Sequence, residues 1–542
     1  MTRSPTPGPA PDSSNVAANE FRWGTELEPG RDGDWPLLYT PRRHSLPELL
    51  DDAARWADRD LLVQGSRRVT YSQLFQASGA GARALIDRGV SRGDRVLLWA
   101  ENGIDWVVGF WSITRAGATV VVANGWWSPT ELEDALHSTT PLLIVTSHPV
   151  DVSPDITQVT VETLCPRFGA STLTATVEPA EEDAAVILFT SGSTGRPRGA
   201  VLPHRALVAM QHALLVLTNR LPHQLRTDHG REVSLQTGPL FHIGGVQAML
   251  RTILTGGTLV FLEGRFDPRE VLEVIQRERV HRWGAVPTMV ARVLDVVPTS
   301  ATRDLSSLRS ITMGGAHVSS TLSERARRAF PGAVSGVSTI YGLSESGGTL
   351  TMATSKDRVD RPDTSGRPLP IVELRVDRDV NADRSDPVGE ILARSSAQMV
   401  GYWSETPAER IIDDDGWLHT GDLGRLDEDG YLYVVGRRKE VIIRGGENVA
   451  SQHVEDVIRE CEGVRDVAVV GLPDDDLGEV VAAAVEITDD DLTAETLRDF
   501  LTSRLAYFEV PRRWWLLTDP LPINAATKVD KRWLVSNWPS DS

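Results

Sequence analysis

The sequence predicts an α/β protein. It has a large N-terminal domain of parallel βα sheets plus a β-rich subdomain, and then a small α+β C-terminal domain. Three observations carry this. Short apolar runs alternate with amphipathic stretches as far as residue 315. Near residue 365 the texture changes to short alternating segments. A charged cluster, Arg437-Arg438-Lys439-Glu440, then precedes a unit with helices and a strand of its own. The length of 542 residues agrees, since a single core stops growing at about 250–300 residues.

Taken in order, the elements begin after residues 1–36, where Pro, Ser and Ala dominate. That stretch reads as a disordered tail and has no apolar core of a signal peptide. Residues 95–100 form a buried strand. Residues 104–116 show helical spacing of Trp106, Val107, Phe110, Trp111 and Ile113. Strand 118–123, helix 129–137 and strand 142–146 follow. Strand, helix, strand implies a parallel sheet with helices on its faces. The rhythm recurs over 255–315. Segments 372–377, 389–394 and 430–436 form the β-rich subdomain. Beyond the charged cluster, 454–458 and 492–505 are helical and 467–470 is a strand. A turn of exposed charges between two strands is a natural pivot. The domains are therefore set at 37–437 and 438–542, the second a mobile lid.

Composition narrows the function. There are 56 Lys plus Arg against 75 Asp plus Glu, a formal charge of −19. That argues against nucleic acid as a partner, yet a few local cations can still hold an anionic small molecule. No run reaches the ~18 apolar residues of a membrane helix. Cys165 and Cys461 form no CxxC pair, which excludes a disulfide scaffold and a structural zinc site and fits a reducing, cytoplasmic setting.

The most informative segment is Phe189-Thr190-Ser191-Gly192-Ser193-Thr194-Gly195-Arg196-Pro197-Arg198-Gly199. It follows the apolar strand 184–188 and precedes a helix at 206–217. Glycines let backbone N–H groups approach an anion, Ser and Thr add hydroxyls, and Arg198 adds fixed charge. This is a phosphate cradle. It lacks the Walker spacing of Lys and Ser/Thr after Gly. A flexible surface linker is the alternative, but linkers rarely sit between a buried strand and a helix.

This loop resembles the signature loop of the adenylate-forming superfamily, in its acyl-CoA synthetase branch. Further motifs stand in the family's order: Gly314-Gly315-Ala316, Tyr341-Gly342-Leu343-Ser344-Glu345, Leu418-His419-Thr420-Gly421-Asp422, Gly436-Arg437-Arg438-Lys439-Glu440, Gly445-Gly446-Glu447-Asn448, and the segment from Leu521-Pro522 to Lys528. They cover residues from about 45 to 535. The resemblance implies ATP, CoA and Mg²⁺ as cofactors and a fatty, aryl or polycyclic carboxylic acid as substrate. The acid would be activated to acyl-AMP and passed to CoA as a thioester.

Roles follow by the same resemblance. Thr190 to Gly195, Arg198 and Ser344 would hold phosphates. Gly315, Ala316, Tyr341 and Gly342 would flank adenine, and Asp422 with Arg437 would hold the ribose. Glu345 would bind Mg²⁺, whose hard character suits a carboxylate. Lys528 would neutralise charge between two anions as they approach; the alternative is an exposed lysine in a polar tail. Lys439 would be the pivot, and Lys439, Arg444, Gly445 and Gly446 would meet CoA. His242, Gly244 and Gly314 would border the acyl group, although an isolated His among apolar residues is equally a core residue. Amino-acid adenylation domains carry Asp where His242 stands, which argues against amino-acid substrates. The chain ends at Ser542, so no carrier-protein segment is expected after Lys528.

Three positions depart from the family pattern. Arg198 stands where Lys is usual, Thr527 where Gly precedes the lysine, and Ser451 where Pro is common. The first two touch ATP activation. They leave open an enzyme that uses preformed acyl-AMP plus CoA, beside one that loads a carrier protein. Oligomeric state stays open between monomer and homodimer.

Overall fold

The computed structural model describes residues 21–539 except 31–35, 126, 154, 166–175, 191–197, 227–229, 298–302, 317, 319, 334–335, 379–387, 404–405, 407–409, 445–446, 475, 489–490 and 525–527. Ser191 to Gly195, Gly445, Gly446 and Thr527 thus lie outside the described residues.

Among the described residues, seven strands form one sheet in the order Gly401–Tyr402, Arg198–Pro203, Ala184–Thr190, Thr119–Val122, Arg95–Trp99, Leu143–Thr146, Gln158–Thr160. Nine form a second, whose middle runs Val337–Leu343, Ser310–Met313, Arg282–Ala285, Val233–Gln236, Thr258–Phe261, Asp60–Gln64. Those middle strands pair in parallel, as the strand–helix rhythm requires. Side chains alternate across each sheet. Val96 and Leu98 enter a cluster that also holds Leu62, Leu259 and Phe261 of the second sheet. Leu97 enters another with Val121, Ile144 and Ile187. The helix Ile104–Arg115 buries every residue except Asp105 and Arg115. A helix apolar all round belongs in such a core. No helix among the described residues is long and apolar enough to cross a membrane.

Two features depart from expectation. Residues 21–30, assigned to the tail, are folded: Glu26–Pro29 pairs with Leu37–Thr40, and Trp23, 2% exposed, donates its indole N–H to Asp52 at 2.8 Å. One large aromatic side chain buried against the body is enough to hold a polar segment. Second, the phosphate loop does not lead directly into a helix. A strand, Arg198–Pro203, intervenes, so the loop closes a hairpin with Thr190 opposite Arg198.

A four-stranded antiparallel sheet, Val372–Asp377, Gly389–Ser395, Leu418–Leu426 and Leu432–Arg437, ends one residue before a short turn, Arg438–Glu440. The next sheet begins at Val441–Arg444 and has its own core of Val454, Ile458, Val467, Val481 and Leu497. It includes a strand the sequence did not predict, Arg513–Leu517, parallel to Gly478–Ile487. Its sequence, Arg-Trp-Trp-Leu-Leu, carries no clean alternation.

Candidate active site

Four neighbouring parallel strands of the second sheet converge on one cleft. The chain leaves Val233–Gln236 toward Gly238–His242, Arg282–Ala285 toward Val286, Ser310–Met313 toward Gly314-Gly315-Ala316, and Val337–Leu343 toward Ser344-Glu345. Ligands of open α/β sheets bind beyond the carboxyl ends of strands, because the loops there are free to carry chemistry.

Asp422 is the hub. It is 6% exposed, and each of its oxygens is engaged. Oδ1 lies 3.1 Å from Arg437 Nε, and Oδ2 accepts the Tyr341 hydroxyl at 2.8 Å. Burial pushes its pKa up, against Arg437, the Tyr341 bond and Lys528. The segment before it is no free turn. Leu418–Leu426 is one strand, and Gly421 with φ +72° makes the irregularity that aims Asp422 inward. Arg437 sits opposite in register.

Glu345 is buried and accepts the Tyr402 hydroxyl on Oε1 at 2.8 Å. The Arg198 guanidinium lies 3.9 Å over the Tyr402 ring. Tyr402 thus joins the carboxylate to both ends of the phosphate hairpin, since Thr190 also bonds its hydroxyl. Burial and the neighbouring Glu345 push the tyrosine pKa up. Sequence reasoning missed Tyr402. It stands in a two-residue edge strand, Gly401–Tyr402, whose pairing to Ala200 and Val201 no local pattern announces.

Gly342 has a structural reason for being glycine. A Cβ there would lie 1.8 Å from the Gly348 carbonyl oxygen of the returning strand. Gly315, with φ +81°, turns the chain after Met313, and Ala316 beside it is exposed. Gly244 and Gly284 are exposed, and a Cβ at either would meet nothing within 4 Å. Gly314 differs, because its Cβ would press on Ile340 at 2.5 Å. His242 caps the helix Ile243–Leu254 and packs edge-on against Phe241. Burial, helped by the nearby Lys528 charge, lowers its pKa to about 4, so the imidazole is neutral at pH 7.

Lys528 projects into the same cleft from the small domain. Its N–H donates to Asn524 Oδ1 at 3.2 Å, and Ile523 bridges Val529. The side chain is solvent-accessible although both domains crowd around it. Crowding and Arg437 lower its pKa, while Asp422, Glu345 and Glu440 oppose them. The cleft therefore gathers Lys528, Asp422, Arg437, Glu345, Tyr341 and His242. It does not gather the cations expected for CoA. Lys439 is exposed in the interdomain turn. Arg444 is buried in the small domain and donates to the Tyr507 carbonyl at 3.2 Å.

The family model for AMP-binding enzymes matches residues 49–403, and that for the AMP-binding enzyme C-terminal domain matches 453–528. The chain belongs to the AMP-binding enzyme family. Among curated relatives, this AMP-binding enzyme is 34% identical to the 3-[(3aS,4S,7aS)-7a-methyl-1,5-dioxo-octahydro-1H-inden-4-yl]propanoyl:CoA ligase of Mycobacterium tuberculosis, over 90% of this chain and 97% of that one. It is 29% identical to the long-chain-fatty-acid–CoA ligase FadD13 of the same species, over 86% and 92%. Among solved structures it resembles o-succinylbenzoate CoA synthetase of Bacillus subtilis in complex with its acyl-adenylate intermediate. That match has a TM-score of 0.77 and 27% identity, over 90% of this chain and 97% of that one.

No cluster of three or more His, Cys, Asp or Glu able to hold a metal occurs among the described residues of the AMP-binding enzyme. A lone carboxylate such as Glu345 still fits Mg²⁺, which keeps several waters and takes its other ligands from substrate phosphates.

Proposed function

We propose that this enzyme is an acyl-CoA synthetase. A carboxylate oxygen attacks the α-phosphorus of ATP, the bond to the β-phosphate oxygen breaks, and pyrophosphate leaves. The CoA sulfur then attacks the acyl carbon of acyl-AMP, and AMP leaves. The observation that carries this reading is the meeting of Lys528 with Asp422, Arg437 and Glu345 in one cleft.

In the first step two anions approach one another. The Lys528 ammonium would neutralise both, and one such preorganised contact lowers the barrier by about 3 kcal/mol. Asp422 accepts ribose hydroxyls, and Tyr341 offers its ring to adenine. Thr190, Arg198 and Ser344 would hold the phosphates. Mg²⁺ on Glu345 would draw charge from the phosphates. The acid enters past His242, Gly244 and Gly284. A neutral imidazole and two residues without side chains suit a bulky, apolar acid of the fatty, aryl or polycyclic kind.

The second step would use the small domain after a pivot at Lys439 that brings Arg444 to the cleft. One lid then serves two half-reactions. Both cysteines are free and buried, in keeping with a cytoplasmic enzyme.

The test is carboxylate-dependent exchange of labelled pyrophosphate into ATP across a panel of acids, with thioester mass as the second readout. Exchange with an apolar acid and formation of its CoA thioester are expected. Thioester from acyl-AMP plus CoA without any exchange would leave only the second half-reaction. Preference for a carrier protein over CoA in direct competition would change the acceptor.

A further inference from the structure

The ammonium of Lys531 has three N–H donors and three acceptors. It lies 2.8 Å from Glu440 Oε2, 2.8 Å from Glu455 Oε1 and 3.1 Å from Ser451 Oγ. Ser451 and Glu455 are buried on the helix Ser451–Arg459, where Glu455 also accepts the Val469 N–H at 2.9 Å. Burial opposes the charge on Lys531, but Glu455 and Glu440 outweigh it and hold the ammonium above its ordinary pKa. The third acceptor belongs to one of the departures from the family pattern. A Pro at position 451 would have no hydroxyl to offer.

Two consequences meet at Glu440. It is the first residue beyond the Lys439 pivot, in a turn with no buried residue. A hinge is sharp only when the residue on its moving side belongs to the rigid body. Lys531 makes it so, because its other two partners sit on the small domain's helix. Glu440 is also one of the carboxylates acting on Lys528, three residues before Lys531. Pinned by Lys531, it is held from pairing with Lys528.

We propose that Lys531, seated on Ser451 and Glu455, is a positioning residue for adenylation that pins Glu440 to the small domain and keeps it off the Lys528 ammonium. The catalytic consequence rests on the acyl-CoA synthetase reading; the effect on Lys528 does not.

The chain has four lysines, Lys356, Lys439, Lys528 and Lys531, and acetic anhydride labelling read by peptide fragment masses separates Lys528 from Lys531 and follows it by itself. Lys531→Met should slow Lys528 labelling by about tenfold, the size of a one-unit rise in its pKa. The double variant Lys531→Met/Glu440→Gln should restore the wild-type rate. Pyrophosphate exchange should fall and recover in parallel, with the KM for ATP unchanged within about twofold. If Lys531→Met lowers the unfolding midpoint, the comparison is repeated on a Glu455→Gln background, which removes the buried carboxylate that has lost its ammonium partner. Equal Lys528 labelling in wild type and Lys531→Met, or a slowing that Glu440→Gln does not reverse, overturns the proposal. Absence of exchange in the wild type would count against the synthetase reading instead, and labelling would still decide the role of Lys531.

Discussion

At Glu345 a carboxylate suited to Mg²⁺ is also the acceptor of a tyrosine hydroxyl. Tyr402 fixes that carboxylate with one atom and covers Arg198 with its ring. Removing the hydroxyl leaves the ring in place and frees the carboxylate to rotate. Tyr402→Phe should therefore lower pyrophosphate exchange by about tenfold, the loss of one hydrogen bond to a charged group, and raise the Mg²⁺ concentration needed for half-maximal rate. A titration of exchange against Mg²⁺ checks both. Gly284 tests the acid side. Its Cβ position meets nothing within 4 Å, so Gly284→Leu should fold normally. It should cut kcat/KM for the bulkiest acids by about tenfold or more while sparing small ones, as a panel would show. That Lys528, Glu345, Asp422 and Arg437 belong together was legible in the sequence because each sits in a short motif, and the fold brings them to one cleft. Tyr402 was not, because its role comes from strand pairing between residues about two hundred positions apart.

The phosphate hairpin and the helix behind it show where elements follow sequence and where they do not. Strand Ala184–Thr190 was readable from its apolar run, and Ile104–Arg115 from its spacing. The strand Arg198–Pro203 was not, because it is short, begins with a charge and continues without a break into the helix His204–Leu217. That helix carries two buried imidazoles. His204 Nδ1 accepts the Leu46 N–H at 3.1 Å, and His212 Nε2 meets the Gly24 carbonyl at 2.8 Å. Burial lowers both pKa values from 6.5 to about 4. Between those values the unfolded chain binds more protons than the folded one. Stability present above pH 6.5 is thus lost as pH falls toward 4, by up to about 1.4 kcal/mol per pH unit for each site. The unfolding midpoint should drop from pH 7 to pH 5. His204→Gln, which keeps an acceptor for Leu46, should flatten part of that slope. An unchanged slope would remove His204 from the account.

Across the whole molecule, the charge of −19 opposes the approach of an anionic nucleotide, so on the proposed reading its capture falls to a few cations at the cleft. Arg437 reaches it from the end of the four-stranded sheet, Arg198 from the phosphate hairpin and Lys528 from the small domain. The alternation of two architectures was visible in the sequence as a change of texture near residue 365. The folded residues 21–30 were not, since Trp23 is a single anchor within a polar stretch. On the proposed reading, the division at the 438–440 turn would let one domain supply Lys528 to the first step and withdraw it for the second. Lys528→Ala tests this most directly. Pyrophosphate exchange and thioester formation from purified acyl-AMP plus CoA are measured on the same preparation. Exchange should fall by about a hundredfold or more, with thioester formation kept within about twofold. Equal loss of both half-reactions would contradict it.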